Sequence, residues 1–492
     1  MSMINDYTNR QLVPRLLSFE TSNVLSLNIS SVNININDFE IYNYNKLKAE
    51  WKTGKNIILA IEMLIYEIIY DSLDISTELI IYLDKKKEFL NHIEKEILQI
   101  ANLKKTNKEV STQLNQNANN VYNNISEIKI LNKINPLNSL QWCNLGYYYT
   151  KLGQKDKAKK AFLTSIGLNN SNRHIVRSVA RFFLHMGDIE FGHRILTMSP
   201  RINYDASLVS AEIAYSELMG KKSKFIDKGI KLKDDKNILV FEKNELLAQI
   251  ATLEFSHGKN SKGKLLVEEC LLDPNENSLA QISFLKKKRN IESITEVTPT
   301  VIFQYEALAR SFFSDANFEK AFENAKEWFH FQPFSDHPAS FSTYIASEIL
   351  DKQQEAIDIA EAALKITPNS VTLKNNLAFA FAKSDRIKEA VSTLKNINRN
   401  EISKHEQAVL NATNGFIAFK LGDINSAKIG YDEAINYFRM KKDEDSLARA
   451  LYNYSNILDK NERHIILREV SELSKRNSII ELNYLLERKQ NE

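Results

Sequence analysis

The chain has 492 residues, of which 43% are hydrophobic and 26% are charged, and this mixture excludes a disordered polymer. Its 65 basic and 62 acidic residues nearly cancel, which argues against a dedicated nucleic-acid binder. Only 13 glycines and 8 prolines occur, fewer than a sheet-rich fold with many tight turns needs. The composition therefore favours a mostly helical protein, too long for one ordinary core but suitable for an elongated array.

The first 105 residues are predicted to form an N-terminal arm followed by a small helical unit. Apolar residues recur with a helical period from Asp38 to about Lys105, and the letters TGKN at 53–56 mark a turn between two helices. A phosphate-binding loop at that turn would need a glycine at Ala49 and a serine or threonine at Asn56, so we reject it.

Three other segments lie outside this helical pattern. Residues 23–39 alternate apolar and polar side chains and are either extended or a polar arm. Residues 7–22, YTNRQLVPRLLSFETS, are expected to dock on the rest of the chain or on a partner subunit. Residues 106–137 are rich in Asn and Gln and are predicted to be a polar linker or a long helix.

Targeting signals and cysteine chemistry are both absent from the sequence pattern. The start lacks the apolar core of a signal peptide, and the most apolar run, residues 56–70, carries two glutamates and is too short to cross a bilayer. Cys143 and Cys270 have neither zinc-ligand spacing nor a disulfide framework. We expect a cytoplasmic protein, and its richness in Asn, Ile and Lys suits an AT-rich bacterial gene.

A repeated helix–turn–helix pattern begins in residues 139–170. It has the spacing W-x2-L-G-x2-Y followed by A-x3-F, carried by Trp142, Leu145, Gly146, Tyr149, Ala158 and Phe162. A small residue at Gly146 would let the helix that carries Ala158 approach closely, and the aromatic side chains would fill the space around that contact. The same register recurs in units that start near Arg173, Ile302, His337, Val371 and Ala408.

This spacing resembles the tetratricopeptide repeat family over roughly two thirds of the chain. The resemblance implies an all-α fold, an α-solenoid of eight or nine repeats with an N-terminal helical extension. We expect N-proximal repeats at 138–285, a break at 286–300, C-proximal repeats with capping helices at 301–476, and a tail at 477–492. Proteins of this family hold another protein, often a peptide or a helix, in a concave groove.

The family register also implies which side chains line the groove. In the C-proximal array these are mostly aromatic, with a few charges: Phe303, Arg310, Phe313, Phe341, Ile345, Phe379, Lys383, Phe416, Phe419 and Lys420. The N-proximal positions are cationic and suit an acidic tail, a carboxylate or a phosphate: Lys151, His174, Arg177, Arg181 and His185. Alternatively, the aromatic residues are core residues that the protein's own helices cover, and the cationic residues form a solvated charged face.

No catalytic or metal-binding pattern stands out, and no cofactor is expected. The nine histidines are scattered without H-E-x-x-H spacing, and the acidic runs look like solvated helix faces. We therefore expect a non-enzymatic scaffold or adaptor that binds a partner peptide or helix, without a membrane and with oligomerisation left open. Two alternatives stay open: a regulator of a bacterial defence or stress system that responds to a ligand or peptide, and nucleic-acid binding through the cationic positions.

Overall fold

A computed structural model describes most of the chain. The described residues are 10–18, 38–69, 75–90, 95, 97–98, 101–102, 117–289, 301, 303–399 and 402–491. Within these ranges all regular structure is helical and no β-strand occurs. No helix in the described part of the chain is long and apolar enough to span a bilayer. Most of the segment predicted to alternate with period two, and residues 290–300 of the predicted break, lie outside the described residues.

The N-terminal unit has three described helices and its own apolar core. They are α1 (Asp38–Thr53), α2 (Ile57–Ile69) and α3 (Thr77–Asp84), followed along the chain by α4 (Asn117–Ile134). Trp51 and Tyr82 meet edge to face with ring centroids 5.0 Å apart, and Leu64 and Leu83 are fully buried beside them. The predicted turn between α1 and α2 is confirmed, and the described part of the predicted linker is largely the helix α4.

The remaining helices form two consecutive arrays of antiparallel pairs. The N-proximal array contains α5 (Ser139–Lys151), α6 (Lys155–Leu168), α7 (Arg173–His185), α8 (Ile189–Met198), α9 (Ala206–Leu218), α10 (Ile226–Asp234), α11 (Val240–Ser256), α12 (Asn260–Leu271) and α13 (Glu276–Arg289). The C-proximal array contains α14 (Tyr305–Ser314), α15 (Phe318–Phe331), α16 (Asp336–Tyr344), α17 (Gln353–Ile366), α18 (Val371–Lys383), α19 (Ile387–Lys395), α20 (Lys404–Lys420), α21 (Ile424–Lys441), α22 (Glu444–Tyr454), α23 (Lys460–Asn477) and α24 (Ile480–Asn491).

The turns inside the helical pairs share one backbone feature. Eight of them place a residue in the left-handed region: Gly153, Gly187, Gly220, Gly258, Ala316, Asp351, Asp385 and Gly422. Within each array, neighbouring members of this series recur at about the 34-residue period of the repeat, and a longer interval separates Gly258 from Ala316. Glycine is favoured there because an L side chain is strained at positive φ. The eight turns therefore give the repeat register in the structure, including the degenerate unit around Gly220.

Side-chain caps begin many of the first helices of these pairs. The side chains of Asn138, Asn172, Asp205, Ser370 and Ser403 each accept a hydrogen bond from a backbone N–H in the first helical turn. Such caps satisfy donors that have no partner within the helix and typically stabilise it by about 1 kcal/mol. The short polar residue before each apolar run thus fixes where the helix starts.

Small residues lie where the paired helices cross. A Cβ added to Gly146 of α5 would come within 2.8 Å of the ring of Phe162 on α6, so only glycine lets that ring approach. Ala309 and Ala378 are fully buried at the corresponding places of later repeats. The close packing predicted for the first repeat therefore agrees with the geometry found here. Trp142 of the same repeat is only partly buried, and its Nε1 donates to the carbonyl oxygen of Pro136 at 2.8 Å.

The two arrays curve until the first repeat meets the middle of the second array. A Cβ on Gly153 would lie 2.9 Å from the carbonyl oxygen of Lys365 on α17. Tyr147 contacts Phe334 with ring centroids 6.4 Å apart, and Ile366 packs against the core of the first repeat. We call this contact between α5–α6 and the end of α17 the closure seam. It joins the first repeat to the end of α17.

Candidate functional site

The concave side of the N-proximal array is filled by residues 10–18, which we call the arm. The arm has neither helix nor strand, yet most of its side chains are buried. Leu12 joins the apolar core built by α9 and α11, and Leu16 joins the core that contains Phe182 and Phe334; both leucines are fully buried. Docking of the arm on the chain itself, one of the two expected arrangements, is the one found here.

Arg10 of the arm is held by three side chains on two helices. Its guanidinium donates to Glu306 Oε1 at 2.8 Å, to Gln281 Oε1 at 2.7 Å and to Asn277 Oδ1 at 2.8 Å. The guanidinium group carries five N–H donors in one plane, so it can serve several acceptors at once. Because each acceptor is itself buried, the contact is well shielded from water and from salt.

Two of the same side chains also bind the backbone of the arm. Asn277 Nδ2 donates to the carbonyl oxygen of Val13 at 3.0 Å, and Gln281 Nε2 donates to the carbonyl oxygen of Arg10 at 3.3 Å. Backbone contacts of this kind recognise an extended chain whatever its side chains are, while pockets for alternate side chains supply the selectivity. Together these contacts make α13 the helix that holds the backbone of the arm.

Arg15 makes the second charged anchor of the arm. It pairs with Glu276 at 3.0 Å and also with Glu306. Glu306 therefore forms ion pairs with Arg10, with Arg15 and with Arg310 of its own helix. Burial alone would raise the pKa of Glu306, but these three guanidinium groups hold that pKa well below its usual range. The arm is thus docked through buried ion pairs, which are costly to break.

The structure divides the cationic positions that were expected to form one patch. Arg177 is paired with Glu245 at 2.8 Å, and Lys151 lies over the ring of Tyr147. Burial, followed by the charge of Arg177, lowers the pKa of His174 to about 4. Arg181 and His185 instead face a common cavity. The expectation of a single continuous patch is corrected, because successive turns of α5 and α7 point toward different neighbours.

Arg181 and His185 line a cavity of about 470 Å³ between the arm, α7 and the start of the C-proximal array. The charged lining consists of five Arg or Lys side chains and two carboxylates: Arg10, Arg15, Lys155, Arg181, Arg310, Glu306 and Asp336. Arg181 lies 5.9 Å from the ring centre of Phe334 and forms no ion pair within the described part of the chain. Burial lowers the pKa of Arg181, a sign that its charge is poorly compensated.

The aromatic groove expected in the C-proximal array is not open. Helix α24 lies along it, with Leu482 and Leu485 in the core and Tyr484 against Phe318 at 4.9 Å between ring centroids. Glu481 of α24 accepts from Arg449 at 2.6 Å and fixes the helix. Residues 477–492, predicted to be a tail, therefore include a packed helix. It fills the space that a partner was expected to occupy.

The predicted groove residues are consequently buried or paired. Five of the aliphatic and aromatic members belong to the core: Phe313, Phe341, Ile345, Phe379 and Phe416. Lys383 binds Asp351 and Lys420 binds Asp385, each at 2.7 Å, so these lysines link neighbouring repeats. Phe303 and Phe419 are partly buried. Two alternatives were left open for the aromatic residues, a groove lining and a core covered by the protein's own helices, and the second is found for most of them. The register gives the direction of a side chain but not what covers it.

The residues that bind the arm most closely were not predicted as a site. Glu276, Asn277 and Gln281 lie on α13, at the end of the predicted N-proximal repeats, where no groove positions were assigned. No sequence signal singles them out, because most residues of this helix are polar. Among the described residues no cluster of His, Cys, Asp or Glu could hold a metal ion. Cys143 and Cys270 are both buried thiols.

Comparison with known proteins supports the repeat but gives no partner. Residues 142–172 match the family model described as tetratricopeptide repeat. No curated protein matches the chain. With the model match and the helical pairs, the predictions of tetratricopeptide repeats and of an all-α solenoid are confirmed.

Solved structures with a similar arrangement share little sequence with this chain. The human IFIT1 dimer with PPP-AAAA is 15% identical, covers 71% of this chain and 93% of its own, and has a TM-score of 0.32. Cut9, in the APC/C hetero-tetramer Cut9–Hcn1, is 12% identical over 90% of this chain and 92% of its own, with a TM-score of 0.35. Yeast Tom70 is 10% identical, the match covers 75% of this chain and 95% of the Tom70 chain, and the TM-score is 0.28.

Proposed function

We propose that this α-solenoid of tetratricopeptide repeats is a non-enzymatic scaffold that binds an extended segment of a partner protein on its N-proximal concave surface. The observation that carries the proposal is the arm itself. Asn277 and Gln281 bind its backbone while Glu306 binds Arg10, so the surface already holds a peptide. A partner segment would bind when it displaces the arm or when the arm is released.

The contacts of the arm define the chemistry that such a partner needs. An arginine of the partner would pair with Glu306, and a leucine two positions later would occupy the place of Leu12. A second arginine would pair with Glu276. Acidic peptides would be rejected, because they would bring carboxylates against buried carboxylates. The expected partner is therefore a protein with an extended basic and apolar segment.

A synthetic fluorescent peptide with the sequence of residues 9–18 tests this proposal. The full-length variant R10E/L12E places carboxylates where the arm needs a cation and a leucine, so its own arm is disengaged. Fluorescence anisotropy should show the peptide binding this variant at least about tenfold more tightly than the wild type, in which the tethered arm competes at a high effective concentration. A scrambled peptide should bind neither protein.

Two further variants identify the surface. Adding N277A and Q281A to R10E/L12E should abolish peptide binding, because both backbone contacts are lost, whereas adding N260A on the exposed start of α12 should leave it unchanged. Circular dichroism checks that each protein is folded. If the folded R10E/L12E variant binds the peptide no better than the wild type, the proposal is wrong.

We also propose a cytoplasmic location. Support comes from the thiols, since both cysteines are buried and burial raises the pKa of Cys270 to about 12. Such thiols are inert and need no oxidising compartment.

A further inference from the structure

The cavity beside the arm carries a charge that the protein does not balance. Of its two lining carboxylates, Glu306 is already shared by Arg10, Arg15 and Arg310. Asp336 accepts from Ser370 Oγ at 2.9 Å and lies 3.7 Å from His337 Nδ1. Neither carboxylate forms an ion pair with Arg181 or Lys155 within the described part of the chain.

Arg181 is the centre of this imbalance. Its guanidinium is partly buried on the cavity wall and is fixed against the face of Phe334. A stacked guanidinium keeps its N–H donors at the edge of the plane, free to bind an oxyanion bidentately. His185 contacts the same phenylalanine, with ring centroids 6.2 Å apart, and Lys155 lines the cavity nearby.

We propose that this cavity binds a small phosphorylated molecule, with Arg181 as the principal phosphate ligand and Lys155 and His185 beside it. Arg15 is also paired with Glu276, so with the histidine neutral the five cations of the lining face three carboxylates, an excess of two positive charges that suits a dianion. The volume of about 470 Å³ lies within the range of small-molecule sites. This site is distinct from the proposed peptide-binding surface of α13, although Arg10 and Arg15 contribute to both.

His185 is expected to take part only after the anion has bound. Burial, followed by the charges of Arg181 and Lys155, lowers the pKa of His185 to about 4, while Asp336 acts in the opposite direction. The imidazole is therefore neutral at pH 7 in the empty cavity. A bound phosphate would favour the imidazolium, so binding should take up a proton and strengthen as the pH falls from 7 toward 6.

Pyrophosphate is the probe for the test, with calorimetric titration of the full-length chain at low salt. Wild type is expected to bind it, and the variant R181M should lose at least about tenfold in affinity, the usual effect of removing a charged hydrogen-bond donor. The control is R194M. Arg194 lies 5.9 Å from the ring centre of Phe191, as Arg181 does from Phe334, but it is exposed and outside the cavity.

Stability without ligand gives a second readout. Since Arg181 is an uncompensated cation, R181M should melt at the same temperature as the wild type or higher when no anion is present, so a loss of binding cannot be ascribed to misfolding. A wild type that fails to bind pyrophosphate, or an R181M variant that binds it equally well, would overturn the proposal. Tighter binding of a 5′-hydroxyl RNA than of pyrophosphate would also overturn it, in favour of a nucleic-acid surface. Peptide binding by R10E/L12E is measured separately, so either proposal can fail alone.

Discussion

The backbone of Gly153 lies directly against the carbonyl oxygen of Lys365, where an added Cβ would come within 2.9 Å of that oxygen. Gly153 also has a φ of 68°. We expect G153A to lower the free energy of unfolding by about 2 kcal/mol or more, since left-handed backbone alone costs an L residue about 1–2 kcal/mol. Urea denaturation measures the change.

Gly187 provides the control for that variant. It has a φ of 81° in the equivalent turn, but nothing lies within 4 Å of its added Cβ. G187A should therefore show only the backbone cost of about 1 kcal/mol. Equal losses for the two variants would mean that the closure seam is absent in solution.

Gly146 should tolerate no side chain where α5 crosses α6. The ring of Phe162 lies 2.8 Å from the added Cβ, so G146A is expected to destabilise the chain by about 1–3 kcal/mol through overpacking. Gly167 is exposed near the end of α6 with nothing within 4 Å of its Cβ, and G167A should be neutral or slightly stabilising. Thermal unfolding of the pair separates packing from helix propensity.

Ala316 occupies the left-handed turn position at which other repeats use glycine. Its φ is 56° and its side chain is exposed. The substitution A316G should raise the unfolding free energy by about 1 kcal/mol, since the relief of strain exceeds the added freedom of the unfolded chain. Loss of stability in A316G would show that this turn does not have the geometry described here.

Glu481 should contribute more to stability than the exposed glutamates do. Its partner Arg449 is largely buried, so E481A leaves a guanidinium without its carboxylate and should cost about 3–5 kcal/mol. Glu469 and Arg439 form a comparable pair at 2.7 Å that is much more exposed, and E469A should cost at most about 1 kcal/mol. Limited proteolysis should release α24 from E481A first.

Acid should weaken the fold through its buried histidines. His174 and His185 both have folded pKa values of about 4, below the ordinary value of 6.5. Their contribution to stability is fully present above pH 6.5 and declines as the pH falls from there toward 4, because the unfolded state takes up protons first. Each should cost about 2 kcal/mol between pH 7 and 5. H185N should show a smaller loss over this interval than the wild type.

The repeat register was readable in the sequence because it depends on local packing. Gly146 and Phe162 lie 16 positions apart in one hairpin, and their steric relation is the same wherever such a hairpin forms. Helix starts follow for the same reason, since a cap such as Asn138 acts within one turn. Even the partly buried Trp142 keeps the expected register.

The occupants of the concave surfaces could not be read in this way. Arg10 reaches Glu306 across 296 positions of chain. Leu12 reaches the core of α11, which begins at Val240. No periodic pattern links such distant segments, and Asn277 and Gln281 gain their role only when the arm arrives. The register therefore predicted groove-facing directions for Phe379 and Phe416, but it could not predict that α24 covers them.

The closure seam alters how such an array can unfold. A linear stack of repeats frays from its terminal units, since each of these has a neighbour on one side only. Here the first hairpin abuts α17, so it is supported on two sides. The hairpins between α5 and α17 should therefore melt together as one cooperative block, whereas the hairpins after α17 can still unfold from their free end.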